Sequence, residues 1–290
     1  MDPMALLVAV GAMAVLGVTL SSVLAVANRQ FYVYEDPLIG QVETLLPGTN
    51  CGACGQPGCR MFAEQAVTGA VEPGKCTVST EEGREAIATL LGVDVGGGEK
   101  VVARLACAGG THVARQRAHY VGEPTCRAAT LVAGGGKGCV WGCLGFGDCD
   151  VVCDFDAIVM NSFGLPIVDE DLCTACGDCV DVCPKNLFSL HPLSHKLWVA
   201  CANEAFGDEA ENECEVACNA CARCVADAPE GVARMESNLP VIDYTLNQLT
   251  NPEAIQRCPT GAIVWWGMDG SIAKGSRAKP VIRRHALPVG

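Results

Sequence analysis

The first hydrophobic pattern in the chain is a continuous one. Met4 to Ala27 runs 24 residues without a charge and is rich in Ala, Val and Leu. At about 1.5 Å per residue, a helix of that length crosses roughly 30 Å of hydrocarbon. A signal peptide would want a basic start, and the only side-chain charge before the run is Asp2. The run therefore predicts a retained transmembrane helix. Arg29 lies just past it, and the positive-inside tendency then puts the C-terminal body in the cytoplasm.

Beyond this run the patterned stretches are short. Residues 60–68 have helical spacing, with Met61, Phe62 and Ala66 on an apolar side. Glu72-Pro73-Gly74 reads as a turn, and Ile158–Val159 and Pro166–Val168 read as short strands. Gly96-Gly97-Gly98 reads as a linker and Gly134-Gly135-Gly136 as a flexible loop. Aromatic content is 5 % and glycine reaches 33 of 290 residues. Such a chain has little apolar bulk to bury. It predicts compact loops around inorganic cores, with cofactor binding coupled to folding.

Twenty cysteines supply the means. They come in tight groups at two- to five-residue gaps, too close for good disulfide geometry with one another but well suited to converge on metal. Cys173, Cys176, Cys179 and Cys183, followed by Pro184, read C-x2-C-x2-C-x3-C-P. That is the spacing of a bacterial iron–sulfur ferredoxin, in which the fourth cysteine serves the other cluster of a pair. Zinc, which also takes C-x2-C pairs, is the chemical rival.

Four sites are expected. Cys51, Cys54, Cys59 and Cys76 form a first one, with glycines 48, 52, 55 and 58 letting the loop wrap closely. Cys139, Cys143, Cys149 and Cys153 precede the ferredoxin run. Cross-ligation then groups Cys139, Cys143, Cys149 and Cys183 around one cluster and Cys173, Cys176, Cys179 and Cys153 around another. Cys218, Cys221 and Cys224 repeat the triplet, Ala228 stands where the fourth cysteine would fall, and Cys258-Pro259 closes the unit. This reads as a ferredoxin module that kept one cluster, with Cys214 as an alternative to Cys221. Cys107, Cys126, Cys201 and Cys214 are left over. Buried structural thiols are the preferred reading for them, and a further shared cluster is the open alternative. Leu105-Ala106-Cys107-Ala108 and Val199-Ala200-Cys201-Ala202 form a faint internal repeat. The iron–sulfur total is thus expected to be four [4Fe–4S] clusters on these sixteen cysteines.

The net charge of −13 argues against a nucleic-acid partner. Lys274, Arg277, Lys279, Arg283 and Arg284 make the last 20 residues basic, and a solvated tail is expected there. No dinucleotide or phosphate-binding loop and no nucleophile–base triad is present, and the five histidines are scattered and read as surface residues. No catalytic residues are expected. The fold class is a single N-terminal transmembrane helix plus small α+β iron–sulfur domains. Its expected divisions are an anchor at 1–30, a four-cysteine domain at 31–95 and a linker or small subdomain at 96–135. A two-cluster ferredoxin-like module at 136–200, a degenerate one-cluster module at 201–270 and a basic tail at 271–290 complete the chain.

Leu46 to Gly55 (LPGTNCGACG), Gly142 to Cys149 (GCLGFGDC), Phe155 to Ile158 and Asn238 to Tyr244 (NLPVIDY) carry a family likeness. In this order, behind a membrane helix, they make the chain similar to the RnfB family. These are iron–sulfur subunits of the Rnf complex, the membrane-bound ferredoxin:NAD oxidoreductase coupled to sodium or proton transport. The resemblance covers nearly the whole chain apart from the basic tail. It implies electron transfer from reduced soluble ferredoxin to membrane and flavin subunits, with the flavin and NAD sites on those other subunits. It also implies a single-pass protein of the inner (cytoplasmic) membrane in a hetero-oligomer. The half-emptied third module bears on which donor docks. Two other readings stand beside it: a polyferredoxin subunit of another membrane oxidoreductase, and a redox sensor or sensor reducer. Both the body of the chain and soluble ferredoxins are acidic, so charge attraction alone is a poor docking force, and either a local basic patch or the basic tail is expected to supply it.

Overall fold

The computed structural model describes residues 3–31, 34–267 and 269–289. Helix α1 (Pro3–Phe31) contains the apolar run. Its stretch Val10–Phe31 has mean hydropathy 2.1, is 0 % buried and is long enough to cross a membrane. Thr19 and Ser22 return their hydroxyls to carbonyls one turn back, so they add no unpaired polar group to that surface.

Three helices make the next unit: α2 (Pro37–Leu45), α3 (Cys59–Val67) and α4 (Glu81–Leu91). The Asp36 carboxylate caps α2 and the Thr80 hydroxyl caps α4, which ends on left-handed Gly92. Val42, Leu46, Phe62, Ala63, Ala66 and Ile87 form its core. The expected helix over 60–68 is therefore present, but Met61 points outward at 39 % exposure while Phe62 is 1 % exposed. Arg60 holds the outer face together through Glu35 and Glu43 at 2.7 and 2.8 Å.

The remainder is built from two- and three-stranded sheets and single-turn helices. Strand β1 (Val101–Leu105) is followed by α5 (Cys126–Leu131), α6 (Asp148–Val151), β2 (Ile158–Met160), β3 (Pro166–Val168), α7 (Asp178–Val182), β4 (Phe188–Pro192) and β5 (Leu197–Val199). Then come α8 (Asp208–Glu213), α9 (Arg223–Asp227), β6 (Ala233–Glu236), β7 (Leu239–Ile242), α10 (Glu253–Gln256), β8 (Ile263–Trp266) and β9 (Ile272–Lys274). All pairings are antiparallel: β1 with β4, β2 with β3, β6 with β7, and β8 between β5 and β9. The two strands expected at 158–159 and 166–168 are β2 and β3.

Three expectations fail on packing. The triple glycine before Cys139 is a tight left-handed turn, and a Cβ on Gly136 would sit 2.2 Å from the Ala118 carbonyl oxygen. The basic tail is bound to the body. Lys274 lies in β9, Lys279 pairs with Glu211 and Arg283 with Glu215, both at 2.8 Å, and the Leu287 amide donates to the Thr111 carbonyl. The histidines are also not all at the surface. His191 is packed against His195, Trp198 and Tyr244, and His112 lies against Phe163 with ring centres 3.9 Å apart. Glu211 and Glu215 are sequence-distant acids that spacing could not have paired with the tail.

Candidate metal centres

All 20 cysteines are free thiols, and they gather around five cavities, four sulfurs to each. Three sets are the expected ones. Cys51, Cys54, Cys59 and Cys76 line one cavity; Cys153, Cys173, Cys176 and Cys179 line the second; Cys218, Cys221, Cys224 and Cys258 line the third. The other two differ from expectation. Cys126, not Cys139, stands with Cys143, Cys149 and Cys183. Cys139 joins the three remaining leftover thiols, Cys107, Cys201 and Cys214, around a fifth cavity.

The first site is local. Cys51 and Cys54 lie on a loop with left-handed turns at Asn50, Gly52 and Gly55. The Asn50 side chain accepts from the Cys59 amide at 2.8 Å and fixes that cysteine at the start of α3. The turn at Pro73–Lys75 then delivers Cys76, whose thiol is pushed up by burial.

The ferredoxin-like pair is held by crossing. Cys149 in α6 and Cys179 in α7 each follow a left-handed glycine, Gly147 and Gly177, and face different cavities. Further along the chain from each, Cys153 and Cys183 serve the opposite one. Asp148 explains how Cys126 enters. Its carboxylate accepts from the Cys126 and Arg127 amides at 2.8 and 3.1 Å, pinning the start of α5 beside Cys149. The expectation of Cys139 followed the ferredoxin triplet by position. The extra residues between Cys143 and Cys149 break that register, and a cysteine from upstream takes the remaining corner.

The fifth site is assembled from four distant segments. Cys107 follows β1 and Cys201 follows β5, and the Ala108 amide donates to the Ala200 carbonyl at 3.0 Å. The faint repeat seen in the sequence is thus two strand ends that lie side by side and present their cysteines to one cavity. Cys214 ends α8 and pairs as a bridge with Ala114, while Gly138 donates to the Arg115 carbonyl and brings Cys139 alongside. Backbone amides point at the sulfurs. Cys143 N donates to Cys107 Sγ at 3.4 Å, and Cys218 N to Cys201 Sγ at 3.3 Å. Ala103 N donates to Cys173 Sγ at 3.4 Å.

Burial pushes the thiols of Cys143, Cys149, Cys179, Cys201 and Cys214 up to about 12. Free thiols here would stay protonated, whereas a bound metal needs thiolates, so loading must release protons. Among the described residues no three His, Cys, Asp or Glu side chains converge closely enough for one metal ion. A tetrahedral zinc, with Zn–S near 2.3 Å, would hold its sulfurs only about 3.8 Å apart. Four sulfurs that line one pocket without meeting at a single metal position fit a cubic iron–sulfur cluster instead.

Two family models match. One described as "Putative Fe-S cluster" covers residues 46–78, and one described as "4Fe-4S binding domain" covers 166–188. The chain is 39 % identical over 259 residues to the B subunit of the "Na(+)-translocating ferredoxin:NAD(+) oxidoreductase complex" of Acetobacterium woodii, covering 89 % of this chain and 78 % of that one. It is 36 % identical to the B subunit of the "Proton-translocating ferredoxin:NAD(+) oxidoreductase complex" of Clostridium ljungdahlii, over 87 % of this chain and 89 % of the relative. The B subunit of an "Ion-translocating oxidoreductase complex" from Methanosarcina acetivorans is 35 % identical over 81 % of this chain and 89 % of its own length.

Proposed function

The chain belongs to the RnfB family, the B subunits of ion-translocating ferredoxin:NAD oxidoreductases, and on that premise we propose that it is a membrane-anchored electron relay carrying five [4Fe–4S] clusters. The observation that carries this reading is that every cysteine lies in one of five four-sulfur cavities. A [4Fe–4S] cluster, when bound, takes up and gives back one electron at modest structural cost. Five such sites replace the four expected from spacing alone.

The protein's part is to hold those sites in sequence. Cys149 in α6 and Cys153 just past that helix face two neighbouring cavities, as do Cys179 in α7 and Cys183 at its end. Cys139 and Cys143 do the same between the fifth cavity and the Cys126 cavity. Cys214 and Cys218 repeat the device between the fifth cavity and the Cys258 cavity. Four sites thereby share walls in the order Cys173, Cys126, Cys107, Cys258. The fifth cavity is the link that joins the ferredoxin pair to the half-emptied module. Helix α1 would moor this relay to the cytoplasmic membrane in a single pass, with Arg29 favouring a cytoplasmic body. Reduced soluble ferredoxin is then the donor, and membrane and flavin subunits that reduce NAD with coupled ion transport are the acceptors.

Iron and acid-labile sulfide per purified chain test the reading. About twenty of each supports five clusters. About sixteen removes one, and zinc in place of iron overturns the whole reading. Stopped-flow reduction by a soluble ferredoxin under anaerobic conditions tests the donor, and failure to bleach the cluster absorbance sinks that part.

A further inference from the structure

Lys137 is buried at the wall between two of these cavities. It is 9 % exposed, and its Nζ donates to the Gly109 carbonyl at 2.6 Å and to the Cys143 carbonyl. Gly109 lies two residues past Cys107 and, like Lys137, lines the fifth cavity, while Cys143 lines the Cys126 cavity. The ammonium is therefore tied to one cysteine-bearing segment of each site. Space for it is kept open by Gly142, where a Cβ would meet Lys137 Cε at 3.2 Å and Cys139 Sγ at 3.4 Å.

None of the ion pairs among the described residues includes Lys137. Glu213 is paired through Oε1 with Arg117, and its buried Oε2, which faces Gly138, makes no hydrogen bond to Lys137 or any other group among the described residues. Two neutral carbonyls do not repay the desolvation of a buried ammonium, which demands a negative partner. Four thiolates around each cluster leave a net negative charge, and reduction adds another. We propose that Lys137 is the counter-cation shared by the Cys107 and Cys126 cluster sites, a positioning residue that raises the reduction potential of both. The effect on the relay is to make its two middle sites easier to reduce than the fold alone would allow, which keeps an arriving electron from returning to the donor.

This inference rests on the five-cluster reading, and the test separates the two. Full-length protein is loaded with clusters, its iron is counted, and the cluster signals are titrated by electron paramagnetic resonance against potential. Coulomb's law at an effective dielectric constant of about 20 gives an effect of at least about tenfold at this range. In Lys137→Met, iron stays at the wild-type level and two clusters reduce with an equilibrium constant at least about tenfold lower, or about 59 mV for one electron. Lys137→Arg, which keeps the charge, stays near wild type. Unmoved potentials in Lys137→Met overturn the proposal, as does an equal shift at all five. If Lys137→Met sheds iron from both sites, Lys137→Arg decides. Retained iron and wild-type potentials support the counter-cation, and loss there too assigns Lys137 to packing and overturns it. A wild-type chain with only about sixteen iron atoms fails the five-cluster reading before any potential is measured.

Discussion

The Cys51 site and the Cys107 site each gather four sulfurs around one cavity, yet they are made in opposite ways. The first draws its ligands from 26 consecutive residues, inside a three-helix unit with Val42, Phe62 and Ile87 at its core. The second draws single cysteines from four segments spread over more than a hundred residues. The core beside it is Val113, Ala114, Ala210, Val216 and Ala217. A site with its own apolar core can stand without its cofactor. A site ringed by alanine and valine depends on the cofactor to bring its segments together, because burial of such small side chains does not offset the entropy of closing the long loops.

That contrast breaks most visibly when the metal is removed. Chelation under reducing conditions should leave the amides of α2, α3 and α4 protected while those of residues 107–143 and 201–217, around the Cys107 site, exchange freely, as read by hydrogen–deuterium exchange with mass spectrometry. Uniform protection loss along the chain would show that the first unit is equally cofactor-dependent. Within that unit Phe62, at 1 % exposure, carries the packing, and Phe62→Ala should cost about 3–5 kcal/mol there without touching the iron of the other sites.

Single thiol changes sharpen the same comparison. Cys76→Ser and Cys214→Ser should each remove about four iron atoms. Only the second should slow electron equilibration between the Cys173 and Cys258 sites, because Cys214 and Cys218 lie four residues apart on the segment that joins the Cys107 and Cys258 cavities. Freeze-quench spectroscopy after partial reduction reads this directly. Equal equilibration in both variants would mean that the Cys107 site lies off the path.

A smaller effect is expected at the C-terminal end. The tail supplies β9 to the sheet of β5 and β8, and it ties Lys279 and Arg283 to Glu211 and Glu215. Truncation after Gly270 should lower the melting temperature of the cluster-loaded body by several degrees, an effect of about 2–3 kcal/mol. Neutralising Arg277 and Arg284, which make no ion pair among the described residues, should leave it unchanged. If truncation slows reduction by ferredoxin without lowering the melting temperature, the tail is a docking element after all.

What the chain's spacing revealed obeys the same division. The C-x2-C-x4-C set and the ferredoxin triplets are local, so their cysteines could be grouped by counting. Cys126 and Cys139 exchanged places relative to expectation because Asp148, not spacing, decides which thiol stands next to Cys149. Cys107 and Cys201 announced themselves only as a faint repeat, since the hydrogen bond that joins their strand ends spans more than ninety residues. The tail's acidic partners and the packed histidines were invisible for the same reason: each is fixed by contacts with elements far away in sequence.

The weakest of these signals is a pH effect that separates the β1–β4 region from the first unit. His191 lies in β4, packed on Trp198 and Tyr244, and its Nδ1 is 3.0 Å from that of His195. Burial, and then the charges of His195 and Arg104, push its pKa down to about 4. The unfolded chain would bind this proton near the ordinary value of about 6.5. Between those values the unfolded state holds more protons than the folded one. Stability contributed by neutral His191 is therefore complete above about 6.5 and is lost as the pH falls toward about 4. His191→Phe, which keeps a ring against Trp198, should lose less melting temperature than wild type between pH 7 and pH 5. The difference should be about 1 kcal/mol once solvent screening of a half-exposed group is allowed for. The two proteins should then differ only in the unfolding of the β1–β4 region. A matching difference in the α2–α4 unit, which contains no histidine, would mean that His191 acts through something other than its own proton.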